Sequence, residues 1–104
     1  MSILSITFHT TENQISNWEL YIEIEFLKLI ENLANIEKYI LSEVDSEMIS
    51  EGKNTNLLVF FGDTNLRNRF IENEMPDLER RIAKHFGSDV MIFTAFLNPK
   101  KQRF

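Results

Sequence analysis

The sequence contains no cysteine and only two histidines among its 104 residues. A chain without cysteine forms no disulfide, no cysteine-based zinc or iron–sulfur site and no catalytic thiolate, and it is typical of a reducing, cytoplasmic compartment. Two separate histidines cannot complete a histidine-rich metal site, and no acidic stretch has the spacing of an EF-hand loop. We therefore expect a protein with no bound metal or cofactor.

Glycine is also scarce, with three residues, and negative charge exceeds positive charge. None of the glycines belongs to a glycine-rich loop before a helix, so the sequence has no phosphate-binding motif. The net charge of −5 disfavours binding to nucleic acid, and the short basic run at 100–103 is the local exception. No apolar run approaches 18 residues and the N-terminus lacks a signal-peptide pattern, so we expect no membrane partner.

What the sequence does contain is enough apolar material for one core. Hydrophobic residues make up 43% of the chain, and nine residues are phenylalanine. A chain of this length falls within the range of about 100–150 residues that is usual for one domain. We expect residues 1–104 to form a single folded domain.

Four segments have the composition or the periodicity of strands. Segment 4–9 alternates apolar and polar residues, which predicts a strand with one apolar face. Segments 57–61 and 90–97 are apolar on both faces. Segment 36–45 fits either a helix or a strand, and we interpret it as a strand because a polar loop, 46–56, follows it.

The first helix is predicted over 16–33. Ser16 and Glu19 have the spacing of a capping box, although 12–14 could add an earlier turn. Two apolar rows recur at helical spacing: Trp18, Ile22, Phe26, Leu29 and Leu33 form one row, and Leu20, Ile24 and Leu27 form the other. This helix is more apolar than one buried face requires, so we expect something besides its own sheet to cover it.

A second helical region is predicted after the third strand, with Asp63 or Thr64 as its cap. Pro76 suits the first turn of a helix, which predicts a kink or a restart near Met75. Gly87 then supplies a residue that can adopt a positive φ at the helix end.

The element order βαββαβ predicts a ferredoxin-like α+β fold, in which both helices lie on the same side of one antiparallel sheet. The other side of the sheet is left bare, and apolar residues of the last two strands lie on it. The candidates for this bare face are Leu57, Val59, Phe61, Met91 and Phe93, while the alternating pattern equally allows Leu58 and Phe60 or Val90 and Ile92. Because exposure of such a face is costly, we expect a homodimer that covers it.

The C-terminal half, and 85–97 above all, resembles the ending of a small bacterial family of domains of unknown function, with Phe86-Gly87 before a hydrophobic strand that contains a threonine. Trp18 and the strand ending at 60–62 also match that family. The resemblance implies a ferredoxin-like fold that pairs as a dimeric α/β barrel, and the family has no assigned activity. The turn at 33–36 contains neither proline nor glycine, which departs from the family and leaves the start of the second strand open.

Four residues are weak candidates for chemistry: His9, Trp18, Tyr21 and His85. None has a partner at a recognisable spacing, and a structural role accounts better for each, such as core packing for Trp18 or a helix-end position for His85. We therefore expect a non-enzymatic homodimeric domain that binds a small ligand or a protein. The alternative is a small dimeric-barrel enzyme of the cofactor-independent monooxygenase or haem-degrading type, with the four residues around a pocket.

Overall fold

The computed structural model describes residues 1–33, 35–45, 51–101 and 103. These residues include a four-stranded antiparallel sheet. Its strands are β1 (Ser2–Thr10), β2 (Lys38–Val44), β3 (Lys53–Phe61) and β4 (Val90–Leu97). They lie in the order β2-β3-β1-β4, so β1 and β3 are central and β2 and β4 are the edges. The predicted ferredoxin-like βαββαβ fold is confirmed.

The helices all pack on one face of this sheet. The first helical region is continuous and has three parts: an α-helix, α1 (Ile15–Tyr21), a π-helical segment, π1 (Ile22–Phe26), and a second α-helix, α2 (Leu27–Glu31). The second region consists of α3 (Thr64–Asn73) and α4 (Met75–Phe86). Short 3-10 turns lie at Glu12–Gln14 and Gly87–Asp89.

The start of the first helix differs from the predicted capping box. Ser16 is the second residue of α1, and the residue before the helix makes no side-chain cap. The Glu19 carboxylate, which the capping box requires, instead accepts a hydrogen bond from Nζ of Lys53 at 2.7 Å. The 3-10 turn over Glu12–Gln14 provides the earlier start that the sequence left open.

The second helical region begins and breaks as predicted. Oδ1 of Asp63 accepts a hydrogen bond from the amide of Leu66 at 2.8 Å, which caps α3. The break falls at Glu74, and Pro76 occupies the first turn of α4, where its missing amide hydrogen has no helical partner. Gly87 ends α4 with a φ of 57°.

The strand predictions were right in kind and inaccurate in extent. Segment 36–45 is a strand, β2, that covers Lys38–Val44. The predicted loop at 46–56 is shorter than expected, because β3 already begins at Lys53 and pairs with Thr10. Residues 46–50 of that predicted loop lie outside the described residues.

The pairing of β1 with β3 decides which residues form the core. Residues paired directly across an antiparallel ladder point to the same face. Leu4 pairs with Val59 and Ile6 with Leu57, so these four side chains all face the helices. Ser2 pairs with Phe61, which places Phe61 on the same face.

This register corrects three of the five candidates for the bare face. Leu57, Val59 and Phe61 are buried beneath the helices, with at most 1% of each exposed, and are unavailable to a partner. The physical reason is that β3 is apolar on both faces, so its own period cannot choose between them. Met91 and Phe93 do lie on the bare face, where they pair with His9 and Thr7 of β1.

Candidate functional site

The face of the sheet away from the helices, here called the open face, is a grid of four rows. Each row takes one residue from each strand in the order β2, β3, β1, β4. The rows are Lys38, Phe60, Ile3 and Leu97; Ile40, Leu58, Ser5 and Ala95; Ser42, Asn56, Thr7 and Phe93; and Val44, Asn54, His9 and Met91. The first two rows are mainly apolar, whereas the last two are polar at the centre and, except for Ser42, apolar at the edges.

The polar centre of the open face is held by its own hydrogen bonds. Nδ2 of Asn56 donates to Oγ of Ser5 at 2.9 Å and to Oγ1 of Thr7 at 3.1 Å. Nδ1 of His9 and Oδ1 of Asn54 are hydrogen-bonded at 2.6 Å. These polar side chains thus have hydrogen-bond partners within the sheet itself.

Those apolar side chains are strongly exposed. On β4, Phe93 is 55% exposed and Met91 47%, and Leu97 is also exposed; on β2, Ile40 is 48% exposed. Burying one such side chain fully contributes about 1.5–3 kcal/mol. Large exposed apolar patches are uncommon on monomeric soluble proteins.

A cleft of about 280 Å³ lies on the opposite side of the molecule, between the first helical region and α4. Tyr21 and Phe86 line it together with Leu20 and Ile24, which are more than half exposed. These last two residues belong to the second apolar row of the sequence, for which a cover other than the sheet was expected. They remain uncovered by any of the described residues.

The π-helical segment π1 explains how this cleft is framed. In an α-helix, residues four apart share a face, whereas a π-helix inserts one extra residue per turn. Tyr21 and Phe26, five residues apart, are accordingly both buried. The extra residue lets the helix keep its aromatic side chains in the core while Ile24 and Glu25 line the cleft.

Tyr21, Glu25 and His85 meet at one end of the cleft. The rings of Tyr21 and His85 have centroids 5.0 Å apart, and Nε2 of His85 lies 3.4 Å from Oε2 of Glu25. Tyr21 is only 7% exposed, and its hydroxyl has no hydrogen-bond partner among the described residues. Burial, and then the Glu25 carboxylate, raise the pKa of Tyr21 above its ordinary value, so the phenol stays protonated at neutral pH.

A second cleft, of about 400 Å³, adjoins the first and is charged. Glu25 and His85 line both, and Asp77, Arg80, Arg81 and Lys84 complete the second. The Asp77 carboxylate accepts hydrogen bonds from Arg80 at 2.6 Å and from Arg81 at 2.9 Å. The guanidinium of Arg81, followed by that of Arg80, lowers the pKa of Asp77.

The structure brings together three of the four sequence candidates. The Trp18 and Tyr21 rings stack with centroids 5.8 Å apart, and His85 lies beside Tyr21. Trp18 is buried in the core, and its Nε1 donates to Oγ1 of Thr55 at 3.1 Å. His9 lies apart from them, on the open face.

Glu25 and Arg81 are site residues that the sequence reasoning missed. Glu25 follows Tyr21 by four residues, and Arg81 follows Asp77 and precedes His85 by four. For Asp77, Arg81 and His85 that spacing places the side chains on one face of α4 and could have indicated Arg81. For Glu25 it gives no such signal, because the π-helical segment keeps Tyr21 in the core and leaves Glu25 exposed. Helical spacing alone does not show that the first helical region and α4 contact each other here.

Within the described ranges, no three His, Asp or Glu side chains lie close enough together to hold a metal ion. Among the described helices, none is both long enough and apolar enough to cross a membrane.

The sequence matches the model of a protein family described as a domain of unknown function, DUF4286, over residues 1–100. The chain belongs to the DUF4286 family. The family description names no activity, and no curated protein matches this DUF4286 chain by sequence. The resemblance inferred from the C-terminal half is therefore confirmed as to the kind of family.

Solved structures resemble this DUF4286 protein closely in fold. A dimeric ferredoxin-like protein from an uncultured marine organism has a TM-score of 0.69 at 14% identity, covering 100% of this chain and 99% of its own. A protein of the ethd family from Bacillus halodurans has a TM-score of 0.67 at 9% identity, covering 91% and 97%. A proposed antibiotic biosynthesis monooxygenase from Deinococcus radiodurans has a TM-score of 0.64 at 10% identity, covering 100% and 99%. At such identities the likeness shows the shared fold alone.

Proposed function

We propose that this DUF4286 protein is a non-enzymatic homodimeric domain that binds a small ligand or a protein, and that two copies pair through their open faces. The observation that carries the proposal is the exposed apolar cluster of the open face, with Phe93 and Met91 on one edge strand and Ile40 on the other. In a monomer these side chains would remain in water.

The charge of the open face supports pairing with a second copy. Of the described residues on it, only Lys38 carries a full charge, and its ammonium lies 4.7 Å from the centroid of the Phe60 ring. A symmetric interface brings the same patch together from both copies, so a charged patch would repel itself. A nearly uncharged patch avoids that cost. The marine protein of the same fold is itself dimeric.

Pairing of the open faces leaves the binding side of each copy accessible. The clefts beside Tyr21 and His85 lie on the helix side, away from the open face. Each copy in the proposed dimer therefore keeps its own cleft, and assembly and ligand binding use different surfaces.

The test is the mass in solution and its response to one substitution. At micromolar concentration we expect light scattering to give twice the chain mass of 12.3 kDa. Phe93→Glu should give a monomer, because pairing would bury a carboxylate from each copy in an apolar interface. Ile24→Glu is the matched control, since Ile24 is 53% exposed but lies on the first helical region. A monomeric wild type, or a dimer that Phe93→Glu leaves intact, would sink the proposal.

A second candidate, a cofactor-independent monooxygenase, is favoured by the grouping of Tyr21, Glu25 and His85. The His85 imidazole, beside the Glu25 carboxylate, could accept a proton from a phenolic substrate in the cleft. Oxygen uptake with a panel of polyhydroxylated aromatic compounds tests this candidate. Uptake that His85→Gln abolishes would support it, and no uptake across the panel would reject it.

A haem-degrading role fits the described residues poorly. A buried macrocycle needs a flat slot between helices and sheet, and that space holds Phe8, Trp18 and Phe26, with ring centroids 5.2 to 5.9 Å apart. A haem titration of the purified protein, followed at the Soret band, should show no saturable binding that depends on His85.

A further inference from the structure

The two clefts on the helix side form one groove with an apolar half and a charged half. The apolar half contains Leu20 and Ile24 above Tyr21 and Phe86. The charged half contains the side chains of α4, and the pair Glu25 and His85 lines both halves. A ligand that fills this groove would need one apolar end and one polar end.

The Tyr21 hydroxyl is an unused hydrogen-bond donor at the junction of the two halves. It is buried without a partner among the described residues, although buried hydroxyls are normally bonded. The centroid of the Tyr21 ring lies 5.0 Å from that of His85, which lines both halves of the groove. A protonated phenol offers its hydrogen to an acceptor such as a carboxylate oxygen.

The charged half is positive although the chain as a whole is negative. Arg80, Arg81 and Lys84 face the two carboxylates of Asp77 and Glu25, so one positive charge is in excess when His85 is neutral. Asp77 is shared by both guanidinium groups, and Lys84 makes no ion pair with a described residue. In a chain of net charge −5, this local excess selects for an anionic group.

We propose that the groove binds an amphipathic monoanion, such as a medium-chain carboxylate. Its apolar body covers Leu20 and Ile24, and its anionic group accepts a hydrogen bond from Tyr21 and faces Arg81 and Lys84. The ligand class deepens the proposed binding function and rests on it, but it does not depend on the dimer. The bound ligand would then shield Leu20 and Ile24, the exposed residues of the second apolar row, from water.

Trp18 supplies the readout, because it is the single tryptophan and its ring stacks on Tyr21. We expect decanoate, below its micellar concentration, to change the Trp18 fluorescence saturably. Decyltrimethylammonium and decanol, which have the same chain with a positive or no charge, should bind at least about tenfold more weakly. Binding of decanoate should weaken with salt, since part of it is electrostatic.

Three substitutions locate the site. Tyr21→Phe keeps the ring and removes only the donor, and it should weaken decanoate binding by about tenfold or more while leaving the binding of decyltrimethylammonium, whose head group has no acceptor, unchanged. Arg81→Gln should also weaken decanoate binding. Arg69→Gln is the matched control, because Arg69 is exposed on α3 outside the groove. Circular dichroism verifies that each variant is folded.

The binding measurements test the ligand class independently of the proposed dimer. Equal binding of decanoate and decanol, tighter binding of the cation, no binding of any of the three, or no effect of Tyr21→Phe would each overturn the ligand class. A dimer that binds none of the three would overturn the inference and leave pairing through the open face intact. A monomer that binds decanoate with Tyr21 dependence would support the inference and reject the dimer.

Discussion

The indole nitrogen of Trp18 donates to the hydroxyl of Thr55, and both residues are buried. Thr55→Val keeps the shape of the side chain and removes the acceptor, so a buried N–H loses its partner. We expect the free energy of unfolding to fall by about 1–3 kcal/mol. Urea unfolding followed by Trp18 fluorescence measures this change.

Thr10 is the matched control for that prediction. It is fully buried like Thr55, but its hydroxyl has no hydrogen-bond partner among the described residues. Thr10→Val removes an unsatisfied group and should leave stability unchanged or raise it. Equal losses for the two variants would mean that the Trp18 bond contributes nothing specific.

Because the pKa of Tyr21 is raised, we expect the free energy of unfolding to depend on pH in the alkaline range. Its folded pKa lies above the ordinary value of 10.0, so the unfolded chain loses the phenolic proton first. The contribution of Tyr21 is therefore fully present below pH 10 and is lost as the pH rises through its folded pKa. Absorbance at 295 nm should show one late-titrating tyrosine fewer in Tyr21→Phe, and that variant should lose less stability above pH 10 than the wild type. Identical alkaline titration curves would contradict this.

At the residue scale the sequence predicted burial better than contact. Helical spacing indicates that Trp18 belongs to the core, and it is 1% exposed. Neither its bond to Thr55 nor the meeting of Tyr21 with His85 could be predicted, because each joins residues from elements far apart in the chain. Such contacts depend on the packing of helices against the sheet, which no local period specifies.

At the scale of the element, the extra residue in the π-helical segment π1 can be tested by deletion. Deleting the exposed Glu23 reduces the spacing of Tyr21 and Phe26 from five residues to four, which a regular α-helix satisfies on one face. We expect the deletion variant to fold, with its free energy of unfolding within about 1 kcal/mol of the wild type. Thermal and urea unfolding measure this difference.

Deletion of Glu79 is the control in a regular helix. Leu78, Ile82 and Phe86 of α4 are buried at exact four-residue spacing, and Glu79 is exposed. Removing a residue there turns the two ends of the helix by about 100° relative to each other, so large side chains leave the core. A loss of several kcal/mol or failure to fold is expected. Equal damage from both deletions would show that π1 does not accommodate an extra residue.

Element types were predicted from the sequence more accurately than element ends. β3 begins four residues earlier than predicted because Lys53 to Asn56 are not apolar, and a strand signal based on hydrophobicity misses them. Their place in the sheet depends on partners: Asn54 bonds His9, and Asn56 bonds Ser5 and Thr7. The false capping box has a similar origin, since Glu19 is engaged by Lys53 from another element.

At the scale of the whole molecule, the main wrong prediction was which residues of β3 lie on the bare face. Three of the five candidates for the bare face are core residues, because β3 is apolar on both sides and only its register with β1 distinguishes them. The existence of a bare apolar face could be predicted from element order alone. Its composition required the pairing of all four strands.

The proposed dimer predicts a melting temperature that depends on concentration. Each tenfold increase in protein concentration should raise it by about 3 °C, since mass action favours the associated native state. Calorimetry over a hundredfold range of concentration measures the slope. Phe93→Glu should melt at one temperature throughout that range, and a wild type without any slope would contradict the dimer.

Strand β4 has a consequence for aggregation. Its eight residues contain no charge, no proline and no glycine, and it forms an edge of the sheet. Proteins normally guard such an edge with charge, proline or a bulge, because its free amide and carbonyl groups can template cross-β stacking. The proposed pairing covers the open face and not this edge, so β4 remains a strand to which another chain can add, and we expect aggregation to begin there.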